Sequence, residues 1–78
     1  MEVTWNLKMI AGCDPYGYDN NTMEFYKVHF RNAACDMEYY MIIDYVADHR
    51  EYFNMDEYDD ALEYYNDRCG AEKEWRYA

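Results

Sequence analysis

The chain has 78 residues, a formal net charge of −10, 51% hydrophobic residues and 21% aromatics. That length makes one domain, and the apolar content excludes the disordered class that an equal charge on a polar chain would indicate. No apolar run approaches the roughly 20 residues of a membrane helix, and an anionic surface is repelled by anionic lipid, so no membrane association is expected.

From Val3 to Ala11 polarity alternates, with Val3, Trp5, Leu7, Met9 and Ala11 on one face and Thr4, Asn6, Lys8 and Ile10 on the other. This period of two predicts a half-buried strand. Residues 12–21 hold the only Pro, two of the three Gly and several Asp and Asn residues, the composition of a loop. Alternation returns from Thr22 to Arg31 and predicts a second strand, with Tyr26, Val28 and Phe30 inward and Phe25, Lys27, His29 and Arg31 outward. The two strands are expected to pair as an antiparallel hairpin whose outer face is mildly basic through Lys8, Lys27 and Arg31.

Residues 37–53 are ambiguous, because Tyr39 to Val46 is rich in β-branched and aromatic residues. At 100° per residue, Tyr39, Ile42, Ile43, Val46 and Phe53 fall on one side and Asp44, Asp48 and Glu51 on the other. A strand separates polarity less well, so the spacing favours a helix. A second helix is expected after Asn54, an N-cap with Glu57 three residues on, and it is expected to end at Gly70. Its apolar stripe is Tyr58, Ala61, Leu62, Tyr65 and Cys69. Residues 72–77 alternate weakly, as a third strand or a segment packed on the sheet. The fold expected is therefore α+β, an antiparallel β-hairpin followed by two amphipathic helices, with a third C-terminal strand left open.

Charge is distributed unevenly over these elements. Residues 36–67 hold eleven Asp and Glu against one Arg, whereas six acids and six bases balance in the remainder. On the second helix Asp56, Asp60, Glu63 and Asp67 lie within about 40° of one direction, opposite the apolar stripe, and Asp59 borders them. Carboxylates then recur about every 5.5 Å, against about 3.4 Å between phosphates along a DNA strand. Like charges four residues apart destabilise a helix, so a row with no intervening cation suggests a positively charged partner rather than structure alone. Asp44, Asp48 and Glu51 would form a matching row on the first helix. Tyr45, Tyr52 and Tyr64 border the acids and could stack on guanidinium groups or anchor an interface.

Small size, strong acidity and this acidic face, carried by Asp56, Asp59, Asp60, Glu63 and Asp67, resemble the phage and mobile-element inhibitors of bacterial defence, the anti-CRISPR and anti-restriction proteins. That resemblance covers size, charge and layout and includes no diagnostic motif. It implies a non-enzymatic inhibitor whose acidic, DNA-mimicking surface occupies the basic groove of a nucleic-acid-binding complex, a CRISPR-Cas effector first and a restriction enzyme second, without itself binding nucleic acid. The alternative is an acidic interaction module, an antitoxin or adaptor, that binds a basic protein without imitating DNA.

The signatures of phosphate loops, zinc proteases, CxxC sites and nucleophile elbows are absent, so no catalytic residue, metal site or cofactor is expected. Cys13, Cys35 and Cys69 are odd in number and widely spaced, and the first residues lack the basic and apolar regions of a secretory leader. Reduced cysteines in a cytoplasm are the expectation, with the bacterial host cytoplasm implied for a phage protein.

Overall fold

The computed structural model describes residues 3–77, with side chains described through Cys69. Four strands, β1 (Thr4–Cys13), β2 (Met23–Arg31), β3 (Asp36–Asp44) and β4 (His49–Asn54), form an antiparallel meander in the order β1-β2-β3-β4. A 3₁₀ turn over Met55–Glu57 leads into one helix, α1 (Tyr58–Tyr77). The first hairpin forms as expected. The helix expected over 37–53 does not: this stretch is β3, a tight turn and β4.

The physical reason lies in the position of β3. Inside the sheet, β2 and β4 pair with both its edges; Tyr40 and Ile42 are buried under α1, and Met41 and Ile43 are buried on the other face among side chains of the sheet itself, with Val28, Tyr26 and Tyr39. A strand buried on both faces reads as a continuous apolar run, which periodicity cannot distinguish from a helix segment. The turn at residues 45–48 contains neither Gly nor Pro. Asp48 closes it at φ +54°, and the Asp44 carboxylate accepts the Val46 and Ala47 N–H groups at 3.1 and 2.9 Å.

The expected start of the second helix holds. Asn54 is extended, and its N–H donates to Glu57 Oε1 at 2.7 Å. Its expected end does not, since α1 passes through Gly70 to Tyr77 and residues 72–77 are helix rather than a third strand. Along α1, Ala61, Tyr65 and Cys69 are buried against Met23, Phe25, Tyr40 and Ile42. Phe25 is the centre of this layer, 0% exposed, with the rings of Tyr40, Tyr58 and Tyr65 at 5.9, 6.2 and 5.4 Å.

Phe25 was expected to face outward, opposite Tyr26, Val28 and Phe30. The helix in fact covers the Phe25 side of β2, and the other three residues lie on the uncovered side. A bulge in β1 accommodates this. Met9 pairs with Tyr26 and Ala11 with Phe25, so Ile10 is the extra residue and the strand changes faces at that point. Trp5, Leu7 and Met9 stay on the uncovered side, while Ala11 and Cys13 turn toward α1. Cys13 thereby reaches Cys69, with Cα atoms 6.3 Å apart, and the two form a disulfide across 56 residues. The expectation of three reduced cysteines is corrected on this point. Cys35 is free and exposed in the β2–β3 turn.

Candidate interaction surfaces

The ladder sorts side chains into two faces. On the face toward α1, the rows nearest the disulfide place Ala11, Met23, Phe25, Tyr40, Ile42 and Phe53 under the helix, with Asp44, His49 and Glu51 at their β3–β4 end. The rows beyond the helix are charged, with Lys27 paired to Glu38 at 3.5 Å and Asp36 to His29 and Arg31 at 2.6 and 3.5 Å. Lys27 and Arg31 of the basic outer face expected for the hairpin are thus balanced by acids of β3, Asp36 directly opposite Arg31 and Glu38 diagonal to Lys27.

The opposite face inverts this polarity. Its rows read Trp5-Phe30-Met37, then Leu7-Val28-Tyr39-Asn54, then Met9-Tyr26-Met41-Tyr52, and last Glu24-Ile43-Arg50. Val28, Met41 and Ile43 are buried beneath Tyr26 and Tyr39 without any helix above them. Two ring pairs, Trp5 with Phe30 at 4.6 Å and Tyr39 with Tyr52 at 5.8 Å, flank a depression of about 560 Å³. Glu38, Asn54 and Glu57 supply its polar margin.

The expected acidic row survives on one element. Asp56 lies in the 3₁₀ turn and Asp59, Asp60, Glu63 and Asp67 on α1, all exposed. At 100° per residue, the four α1 acids fall within about 100° of one another and opposite the buried stripe. None forms an ion pair among the described residues. Arg68 stands 4.8 Å over the Tyr64 ring, which also meets Phe53 at 5.7 Å, so Tyr64 already stacks within the chain.

The second row does not form, because its residues are not on a helix. Asp44 is 4% exposed and accepts the Tyr16 hydroxyl at 2.6 Å in addition to its turn contacts. It is a structural acceptor. Asp48 occupies the turn, and Glu51 lies on β4 beside His49 at 3.5 Å. Tyr45 and Tyr52 are exposed but stand away from the helix row. Tyr52 belongs to the apolar face, and Tyr45 donates its hydroxyl to Glu24 at 2.7 Å. That bond to a carboxylate, followed by partial desolvation, pushes the Tyr45 phenol up to about 12. Tyr26, which also donates to Glu24, and Tyr16, which donates to Asp44, are raised for the same first reason, since loss of the proton removes the bond.

The end of the molecule near the disulfide is held by a polar network that motif reading missed. Partial desolvation opposes ionisation of Asp14, but hydrogen bonds from the Thr22 hydroxyl and the backbone of Asp19, Gly17 and Tyr18 outweigh it and lower the carboxyl's titration. Tyr45 N–H donates to Thr22 O at 2.9 Å, joining the β3–β4 turn to the first loop. The signal available in sequence was Asp14-Pro-Tyr-Gly, an Asx turn in which Gly17 takes φ +77°.

The described residues contain no group of His, Cys, Asp or Glu suited to a metal ion, and no helix among them is long and apolar enough to cross a membrane. No protein-family model, curated protein or solved structure matches the chain.

Proposed function

We propose that this chain is a non-enzymatic inhibitor of a bacterial nucleic-acid-binding defence complex, a CRISPR-Cas effector first and a restriction enzyme second, acting in the host cytoplasm. The outer side of α1 enters a Lys/Arg-lined groove and excludes DNA by occupancy and by charge, leaving its target chemically unchanged. One observation carries the reading: Asp56, Asp59, Asp60, Glu63 and Asp67 are exposed together on the side opposite a stripe that is sealed onto the sheet. A rigid row of carboxylates can displace the counterions of a basic groove much as a phosphate backbone does.

The test begins with capture of the partner from a bacterial lysate and measures binding against ionic strength and competing DNA. Binding should weaken steeply with salt and be mutually exclusive with DNA. Replacing Asp56, Asp60 and Asp67 with Asn and Glu63 with Gln keeps shape while removing four charges. At about 0.5–1 kcal/mol per exposed charge, binding should weaken by about 2–4 kcal/mol, roughly 30- to 1,000-fold. Undiminished binding by the folded variant would overturn the proposal.

A second reading is favoured by the loss of the other row. With Asp44 buried and Asp48 and Glu51 on a turn and a strand, the anionic surface is one helix wide. An acidic antitoxin or adaptor that binds a basic protein without imitating DNA needs no more than that. Its affinity would respond weakly to salt, and DNA would not compete.

A further inference from the structure

The sheet face turned away from α1 carries large apolar side chains and no second layer. Trp5, Leu7, Met9, Met37 and Tyr52 are 56%, 49%, 42%, 47% and 58% exposed. We propose that this face is a dimer interface, on which a second copy of the chain packs sheet against sheet.

Charge selects that occupant. The strand rows of the face carry one acid and one base, Glu24 and Arg50, whose charges cancel, and of the two acids at its margin Glu38 is paired with Lys27, so the face is close to neutral in a chain of net charge −10. A basic partner is drawn to the carboxylates of α1, on the other side of the sheet, and finds little net charge to meet here. A second copy meets a surface as neutral as its own, and the two acidic helices are held apart on opposite outer faces, where their repulsion is weakest.

Shape and area agree with this choice. A two-fold axis brings the same patch of both copies together, and antiparallel sheets stack face to face about 10 Å apart in this manner. Five half-exposed side chains at roughly 100 Å² each give about 500 Å² per copy and about 1,000 Å² for the pair, the area at which specific interfaces begin. The ring pairs Trp5–Phe30 and Tyr39–Tyr52 already fix four of the aromatic groups at this surface, so little side-chain freedom remains to be lost on association.

Analytical ultracentrifugation of the oxidised full chain over a concentration series tests the proposal. The expected result is a monomer–dimer equilibrium that high salt leaves intact or strengthens, since the interface is apolar and the repelling charges are screened. Trp5→Glu should weaken the dimer roughly 100-fold, with the far-ultraviolet circular dichroism and the disulfide retained. Should that variant not fold, Tyr52→Arg serves, because a side chain 58% exposed contributes little to the monomer. A wild-type chain that stays monomeric up to its solubility limit would overturn the proposal. So would a dimer that survives both substitutions, as pairing through the β1 edge would, or a monomer that holds a different protein through Trp5 and Tyr52.

Discussion

Reducing the Cys13–Cys69 disulfide is the perturbation that most directly tests how α1 is held. The bond joins the end of β1 to the helix across 56 residues, so it encloses all three connections of the sheet and nearly the whole core. Closing a loop of that length removes about 14 cal/mol/K of denatured-chain entropy, or about 4 kcal/mol near room temperature. In a chain of this size about 4 kcal/mol corresponds to a fall in Tm of about 20 °C. The measurement compares urea unfolding of oxidised and fully reduced protein in a Cys35→Ser background, which removes the exposed thiol and with it disulfide exchange. The reduced form should lose about 4 kcal/mol and show a larger m value, because its denatured state is more expanded. Reduction is preferable to substitution here, since Cys69 is 1% exposed and a serine would bury a hydroxyl among apolar neighbours. A loss below about 1 kcal/mol would refute the loop-entropy argument. The same comparison bears on the proposed cytoplasmic role, because an inhibitor working in a reducing compartment must keep α1 docked through Phe25, Ala61 and Tyr65 alone.

Deleting Ile10 removes the bulge and makes Met9 and Ala11 adjacent, still opposite Tyr26 and Phe25, so Cys13 should keep its face and the disulfide should still form; thiol titration under denaturing conditions should count one free cysteine, as in the parent chain, and a count of three would refute Ile10 as the extra residue. Phe25→Ala empties the centre of the helix–sheet layer and should cost about 3–5 kcal/mol in chemical unfolding, against less than about 1 kcal/mol for the exposed Tyr18→Ala. Raising the pH should separate the tyrosines by phenolate absorbance, with Tyr45 ionising near 12 and its step missing in Tyr45→Phe. Because the folded value lies above the ordinary 10.0, the Tyr45–Glu24 bond contributes stability below pH 10 that is lost as pH rises through 12, and a Tyr45 step near 10 would refute that bond.

The features legible in the sequence were those that local chemistry dictates. Alternation located β1 and β2, the Asp-Pro-Tyr-Gly segment located their loop, and Asn54 with Glu57 located the start of the helical segment. What could not be read depended on contacts distant in the chain. Residues 39–43 are apolar at every position because β3 is interior, and the turn after them relies on Asp44 and on Asp48 at positive φ rather than on glycine. Alternation also divides a strand into two faces without saying which one a helix will cover. In β2 the set Tyr26, Val28 and Phe30 is the larger, yet α1 packs on the other side, because Met23, Phe25, Tyr40, Ile42 and Phe53 form a continuous patch there once β3 and β4 are strands. Three cysteines allow three pairings, and only the bulge at Ile10 decides among them.

Correcting residues 37–53 from helix to strands changes the electrostatics as much as the fold. Asp36 and Glu38 are matched by cations of β2, and Asp44 is enclosed by Tyr16 and the turn. The negative charge left open to solvent therefore concentrates on the turn at Asp48 and along Asp56 to Asp67, while the strand rows of the far face carry only the opposed charges of Glu24 and Arg50. A molecule polarised in this way is oriented before contact: the field draws a basic surface to α1, and electrostatic steering raises the rate of encounter there far more than elsewhere. Affinity must then come from what the helix meets at close range, since exposed charge pairs contribute little each. For that reason the four neutralising substitutions on the helix should slow association more than they hasten dissociation. Equal effects on the two rates would mean that the carboxylates are buried in the complex rather than steering toward it.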